Sequence, residues 1–154
     1  VSILDNGKVI GSVTADSNGK WTFTPDTALA DGKHTFTVTA TDAAGNARTS
    51  GSFPIVIDTT APAPADNIIL DDNVGDKQGP VGEGDTTDDQ SPTLSGEAEP
   101  GSVVDIYDND EKIGSVIVDD EGKWSYTPDK PLDKGDHELT TAVTDPSGNT
   151  SEPD

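Results

Sequence analysis

Residues 104–109 read VDIYDN, and residues 1–6, 103 positions earlier, read VSILDN. In both segments apolar residues alternate with polar ones and the run ends in Asp-Asn. This pattern is typical of a half-buried strand followed by a tight turn. The chain therefore contains the same strand-and-turn segment twice, once at its start and once in its second half.

The similarity extends well beyond this strand. With the same shift, residues 1–46 align with residues 104–149 without a gap, and 23 of the 46 pairs are identical. The tripeptide Gly-Lys-Trp recurs at 19–21 and 122–124, and Asp42, Gly45 and Asn46 recur as Asp145, Gly148 and Asn149. Self-similarity at a fixed shift predicts tandem structural repeats.

Neither copy matches over its whole length. Residues 93–103 have no counterpart before Val1, and residues 52–57 have none after Asp154. We therefore expect a window of about one and a half repeats, in which the first copy lacks its opening strand and the second its closing one. Sheet edges exposed at both ends would be able to pair with neighbouring molecules.

The remaining patterns also predict strands rather than helices. In the second copy, residues 102–108, 112–119, 123–127 and 137–144 carry alternating or β-branched runs bounded by turn signals. Residues 128–135 form one longer connection, which matches residues 25–32. The chain is thus predicted to be all-β, with tandem immunoglobulin-like Greek-key β-sandwiches, both truncated.

The middle of the chain divides the two copies. Between residues 58 and 92, nine carboxylates accompany a single base, Lys77, and the apolar run Ile68-Ile69-Leu70 argues against a disordered linker. We predict three regions: residues 1–57 as the first repeat, residues 58–92 as an acidic junction and the start of the second repeat, and residues 93–154 as the rest of it. Binding of hard cations is expected to order this junction.

Composition excludes several functions. The formal net charge of −21 and the pI near 4.1 disfavour nucleic acid and anionic membranes, and favour cations or basic partners. The chain has no cysteine, which excludes thiol catalysis and zinc-thiolate sites. No apolar run approaches the roughly 20 residues that span a bilayer. Neither nucleic-acid binding nor membrane insertion is expected.

An ordered set of short motifs carries a family resemblance: DTTAP at 58–62, DDNVG at 71–75, TTDD at 86–89, SPTLSG at 91–96 and DPSGN at 145–149. The chain resembles the bacterial immunoglobulin-like repeats of giant adhesins of the biofilm-associated and non-fimbrial type, which are exported by type I secretion. The resemblance implies an extracellular, non-enzymatic stalk repeat on the bacterial cell surface. Its partners would be neighbouring repeats, and other parts of the protein would attach to host cells or abiotic surfaces.

The resemblance also implies calcium ions at domain junctions. Calcium takes six to eight oxygen ligands, which aspartates on Gly-rich turns can supply. We predict a junction site formed by Asp71, Asp72, Asp88 and Asp89, with Asp58 closing the first domain. The turns that carry Asp108, Asp110 and Asp145 are expected together at the end of the second domain that faces the junction. The competing interpretation is that all of these are solvated loop aspartates.

Other interpretations concern the aromatic, histidine and threonine residues. Trp21 and Trp124 occupy equivalent positions and are interpreted as packing anchors. An exposed Trp124 or Tyr107 beside acidic turns would instead favour a calcium-dependent, lectin-like glycan-binding module. The threonines at 35, 37, 39 and 41 raise a weaker possibility of ice or surface binding. The two histidines, His34 and His137, are a repeat apart and cannot build a zinc triad or a Ser-His-Asp site within one domain.

Overall fold

The computed structural model describes residues 1–154 and contains twelve β-strands and no helix. The chain divides into two compact units, Val1–Thr59 and Thr60–Asp154. None of its elements is a helix long and apolar enough to cross a bilayer. The all-β prediction is therefore confirmed.

The first unit is a single sheet. Its strands are β1 (Ser2–Asp5), β2 (Lys8–Ser12), β3 (Gly32–Thr41), β4 (Ala47–Thr49) and β5 (Phe53–Ile57). The order is β2-β1-β3-β4, and β5 pairs with β3 as well. The ten-residue β3 is long enough for β5 to pair with its first half and β4 with its second.

The second unit has two sheets. Its strands are β6 (Asp66–Asp72), β7 (Gly79–Val81), β8 (Thr93–Glu97), β9 (Val103–Asp108), β10 (Glu111–Ile117), β11 (Lys123–Tyr126) and β12 (Leu139–Thr144). One sheet has the order β11-β8-β6-β7 and the other β10-β9-β12. The strands β10, β9 and β12 correspond, through the repeat, to β2, β1 and β3 of the first unit.

Both sheets of the second unit contribute to its core. Leu94 and Trp124 come from the four-stranded sheet, and Val104, Ile106 and Val143 from the three-stranded one. Apolar faces of two sheets packed on each other make a β-sandwich, as predicted. In the first unit Ile3 is the only buried hydrophobic residue.

The tight turn predicted after the repeated strand is present in both units. Asn6 and Gly7 have φ angles of 48° and 80°, and Asn109 and Asp110 have φ angles of 48° and 67°. Positive φ at both central residues is what a two-residue type I′ hairpin turn requires. Asp110 therefore adopts the same left-handed conformation as Gly7, its counterpart in the first unit.

The strand pairings define two ends of the second unit. The chain arrives from Thr60 at the end where Asp66 pairs with Glu97, which we call the proximal end. At the opposite, distal end, Asp71 pairs with Thr93 and Asp108 pairs with Leu139. The predicted metal ligands of the second unit all lie at one or the other of these two ends.

Candidate functional site

The end of β6 and the loop before β8 are joined by two aspartates at the distal end. Thr87 donates its hydroxyl to Asp72 Oδ2 at 2.5 Å, and Val74 donates its backbone N–H to Asp72 Oδ1 at 2.9 Å. Asp89 accepts backbone N–H groups from Asn73 at 2.9 Å and from Ser91 at 2.8 Å. Aspartates commonly accept N–H groups two residues further along the chain in this way, and here they fasten the loop to the strand.

These two carboxylates are buried yet fully hydrogen-bonded. The hydroxyl of Thr87 is the main cause that lowers the pKa of Asp72 below its ordinary value, and the N–H of Val74 adds to it. Hydrogen bonds to the charged form of a carboxyl favour that form. Asp72 is therefore ionised at neutral pH.

Two further aspartates lie beside this pair. Asp88 is exposed, and a Cβ added to Gly75 would lie 2.5 Å from Asp88 Oδ2, so the carboxylate approaches the loop that follows β6. Asp71 precedes Asp72 in β6, where it pairs with Pro80. Four predicted residues therefore lie at the distal end, and we call them the distal acidic cluster: Asp71, Asp72, Asp88 and Asp89.

The turn between β9 and β10 lies at the same end, on the other sheet. Asp108 Oδ2 accepts a hydrogen bond from His137 Nδ1 at 2.7 Å, and Asp108 Oδ1 accepts one from the side chain of Asn109 at 3.1 Å. Asp110, the next predicted ligand, is exposed on the turn. Both residues therefore lie at the end that carries the distal acidic cluster, as predicted. This is the end away from Thr60, so the prediction that they face the junction with the first unit is wrong.

Asp145 lies at the opposite end, which corrects the prediction that its turn shares an end with that of Asp108. Strand β12 runs antiparallel to β9, so that Leu139 pairs with Asp108 and Thr144 with Val103. The turn after β12 consequently lies at the proximal end.

The Asp145 carboxylate is engaged within its own turn. It accepts backbone N–H groups from Ser147 at 2.8 Å and Asn149 at 2.9 Å. The side-chain amide of Asn149, at 2.8 Å, is the main cause that lowers the pKa of Asp145. Asp42 and Asn46 repeat the arrangement in the first unit.

Asp58 belongs to the first unit, one residue after β5. The distal acidic cluster belongs to the second unit, at the end away from where the chain arrives from Thr60. The predicted residues therefore occupy three places: the end of the first unit, the distal end of the second unit and, for Asp145 alone, its proximal end.

The chemical type of the ligands at the distal end determines which metal ion could bind there. The aspartates there offer carboxylate oxygens, which suit a hard cation such as calcium. Hydrogen bonds orient Asp72 and Asp89, as supporting groups orient the ligands of metal sites. No three Asp, Glu or His side chains are arranged so that they alone hold a metal ion. A cation here would take part of its coordination from backbone carbonyls and water.

In each unit a histidine side chain links two segments. One is the end of the repeated strand (β1 or β9), and the other is the long loop that precedes β3 or β12. His34 Nδ1 lies 2.6 Å from Asp5 Oδ2 and His34 Nε2 lies 2.8 Å from the carbonyl oxygen of Ala30. His137 repeats this with Asp108 at 2.7 Å and the carbonyl oxygen of Asp133 at 2.8 Å. A carbonyl can only accept, and so can an ionised carboxylate. The charged imidazolium, in which both ring nitrogens donate, satisfies both contacts, so this geometry favours the charged form.

The surroundings favour that charged form in both copies. For His34 the hydrogen bond to Asp5 is the main cause that raises the pKa, followed by that to Ala30. For His137 the carbonyl of Asp133 raises the pKa most, followed by Asp108. We name these two arrangements the histidine clamps. The sequence did not reveal them, although Asp5 and Asp108 recur at the same shift as the histidines.

The two tryptophans differ in burial. Trp124 is 4% exposed and lies in the core of the sandwich, so its interpretation as a packing anchor is confirmed. Trp21 is 39% exposed and does not belong to the core, which leaves packing at a sheet edge as its structural interpretation. The lectin-like alternative called for Trp124 or Tyr107 at the surface beside the acidic turns. Trp124 does not meet that condition, and Tyr107 is half-buried.

Comparison with known proteins places both units in one family. The sequence profile of the bacterial Ig-like domain matches residues 1–59 and residues 63–154, which together cover nearly the whole chain. No curated protein matches it. Domains of this kind typically occur as repeats in surface or extracellular proteins, and are generally structural or adhesive rather than enzymatic.

Proposed function

The chain belongs to the bacterial Ig-like domain family, and from that membership we propose that it is part of the stalk of a large bacterial adhesin. The repeats act as spacers that hold a distal adhesive tip away from the cell, for attachment to cells or surfaces and for biofilm formation. Type I secretion exports the whole protein. The partners of this segment are neighbouring repeats, and the adhesive contacts belong to other parts of the protein.

The path of the chain through the units is the observation that carries this proposal. In the first unit β5 ends at Ile57, which pairs with Gly32, so the chain leaves at the end equivalent to the distal end of the second unit. The second unit receives the chain at its proximal end. A repeat that receives the chain at one end and releases it at the other is suited to a linear array, in which each repeat contacts only its neighbours.

Calcium is proposed to bind at the releasing end of the repeat. Residues 60–154 carry 24 carboxylates and five lysines, whereas residues 1–59 carry six carboxylates and four basic side chains. The ligands would come from the distal acidic cluster, with Asp108 and Asp110 beside it, and Asp58 marks the equivalent end of the first unit. Asp145 would serve a separate site at the proximal end.

The mechanism follows from charge. Without a cation, carboxylates at the releasing end repel one another and leave the attachment of the next repeat loose. A bound calcium ion removes the repulsion and stiffens the attachment. Extracellular calcium modules have dissociation constants of about 10⁻⁴ to 10⁻³ M, and a ligand present at 100 times its dissociation constant adds about 2.7 kcal/mol of stability.

Calorimetric titration of calcium into chelator-treated protein tests this proposal. We expect saturable binding of two or more ions, with magnesium binding more weakly. The double variant Asp71→Asn and Asp88→Asn removes two charges without touching the hydrogen-bonded Asp72 and Asp89, and should weaken binding about tenfold or more. The matched control, Asp120→Asn with Glu121→Gln at the proximal end, removes the same charge and should leave binding at the distal end unchanged.

Small-angle scattering of a longer chain, in which residues 47–154 follow Asn149, tests stiffening separately, because it adds a repeat after the distal acidic cluster. A narrower, more rod-like profile with calcium supports the proposed mechanism. Binding without a change in scattering would limit calcium to stabilising a single unit. Absence of heat at millimolar calcium would mean that the aspartates are solvated loop residues and that the spacer works as a flexible tether.

A further inference from the structure

The sequence contains two Asn-Gly pairs, Asn6-Gly7 after β1 and Asn18-Gly19 in the loop after β2. Asparagine is a chemically labile residue, and most so before glycine, which has no Cβ to keep its nitrogen from the preceding side-chain amide. A lysine follows both pairs, so their local chemistry is closely matched. What distinguishes them is how firmly the fold holds each asparagine.

The side chain of Asn6 is tied to β3 at both ends of its amide. Its Nδ2 donates to the carbonyl oxygen of Lys33 at 3.1 Å, and its Oδ1 accepts the backbone N–H of Thr35 at 3.1 Å. The backbone N–H of Asn6 also donates to the carbonyl oxygen of Thr35 at 3.0 Å. The Gly7 nitrogen can therefore reach the amide carbon only after the turn separates from β3.

The side chain of Asn18, in contrast, is exposed and makes no hydrogen bond. Its turn is held by Asp16, whose Oδ1 accepts the backbone N–H groups of Asn18 and Lys20, each at 2.8 Å. The Gly19 N–H donates to the carbonyl oxygen of Asp16 at 3.0 Å. Opening of this single turn frees the Gly19 nitrogen, and exposed turns are among the segments that open at the lowest free energy.

The equivalent position of the second unit is open in the same way. Gly122 donates its N–H to the carbonyl oxygen of Asp119 at 3.0 Å, and Asp119 Oδ1 accepts the N–H of Glu121 at 2.9 Å. Glu121, the counterpart of Asn18, is likewise exposed. Exposure of this side chain is thus a property of the turn in a unit that has both of its sheets, and the turn accommodates a carboxylate there.

We propose that Asn18 is a site of spontaneous deamidation. The Gly19 nitrogen loses its proton and attacks the side-chain carbonyl carbon of Asn18, which closes a succinimide ring. The bond from that carbon to the side-chain nitrogen breaks, and the nitrogen leaves as ammonia. Water then opens the ring at either of its two carbonyls, leaving aspartate or isoaspartate at position 18. Water is the only other reactant.

Both products add a negative charge where the second unit carries Glu121. The aspartate form keeps the original main chain and fits the turn. The isoaspartate form routes the main chain through the side-chain carbon, and this lengthens the turn by one atom. The bonds from Gly19 and Lys20 to Asp16 then have to rearrange. This modification of the first unit is independent of the spacer role and of calcium binding.

Mass spectrometry of the full chain, incubated at mildly alkaline pH and then digested, tests the proposal. Trypsin cuts after Lys8 and Lys20, which puts the two asparagines in separate peptides, 1–8 and 9–20. We expect the peptide 9–20 to gain the mass difference between an amide and an acid at least about tenfold faster than 1–8. The reason is that the hydrogen bonds of the Asn6 amide must break before it can react.

Two controls separate the fold from the local sequence. In guanidinium chloride both Asn-Gly pairs should react at similar rates, because only their matched local chemistry remains. Asn18→Gln keeps an exposed amide but would have to close a larger ring, so it should abolish the mass change in the peptide 9–20 of the folded chain.

Two results would overturn the proposal. Equal rates for the two peptides of the folded chain would show that the contacts with β3 do not protect Asn6. A peptide 9–20 that changes mass only in guanidinium chloride would show that the hydrogen bonds of Asp16 keep the turn closed and Asn18 unreactive.

Discussion

Trp21 and Trp124 stand 103 residues apart in matching sequence, yet one is half-exposed and the other buried. Both follow the same Asp-to-Gly turn. What differs is the sheet beside them, because Trp124 belongs to a four-stranded sheet that faces a second one, whereas residues 1–59 form one sheet only. Local sequence sets the path of the backbone, and the facing layer sets the burial.

The largest effect is expected from removing these two rings. Trp124→Ala leaves a cavity in the core and should lower the free energy of unfolding by about 3–5 kcal/mol. Trp21→Ala removes a ring that is already half in water, and should lower it by about 1 kcal/mol or less. Urea unfolding followed by circular dichroism measures both. Equal losses in the free energy of unfolding would show that Trp21 is as well packed in solution as Trp124.

A smaller change in stability is expected from substitutions in the turns after β1 and β9. Asp110 holds a left-handed conformation that glycine adopts at lower cost, so Asp110→Gly should stabilise the second unit by about 0.5–1 kcal/mol. The reverse change, Gly7→Asp, should destabilise the first unit by a similar amount. Thermal unfolding in chelator separates this backbone effect from any loss of a calcium ligand. Destabilisation by Asp110→Gly would mean that its carboxylate matters to the fold even without metal.

The histidine clamps are expected to produce the smallest change, one that depends on pH. Each histidine has a folded pKa raised above the ordinary value of 6.5. A raised pKa contributes stability that is fully present below about pH 6.5 and is lost as the pH rises through the folded value. The melting temperature of the chain should therefore fall on the alkaline side of pH 6.5.

NMR titration of the histidine ring protons checks this directly, and His34→Gln with His137→Gln should remove the pH dependence. A ring that titrates at or below 6.5 would contradict its clamp. Added calcium should lower the pKa of His137 if Asp108 is a ligand, because the ion would draw the carboxylate away, and should leave that of His34 unchanged.

Much of the fold was predictable from particular residues. Alternating side chains in residues 102–108 and 137–144 predicted β9 and β12, because strands place successive side chains on opposite faces. The Asp-Asn ending of residues 1–6 and 104–109 predicted the tight turn that follows each strand. The location of Asp145 was not predictable in the same way. Residues 127–138 do not cross the sandwich as a further strand, and that alone decides at which end the turn after β12 lies.

The site was less predictable than the strands. The resemblance singled out Asp71, Asp72, Asp88 and Asp89 as junction ligands, and all four lie at the distal end of the second unit. The sequence did not show that the carboxylates of Asp72 and Asp89 accept hydrogen bonds within the fold. Two of these bonds, from Thr87 to Asp72 and from Asn73 to Asp89, join residues 15 and 16 positions apart. Calcium binding at this end stays a prediction.

By itself, then, the sequence determined the repeat, the strands, the turns and the acidic character of the chain, because these depend on neighbouring residues and on composition. Tertiary structure alone decided which tryptophan is buried, at which end each aspartate lies and what each histidine contacts. Those features depend on strands distant in the chain, whose order and direction are set by how two apolar faces meet.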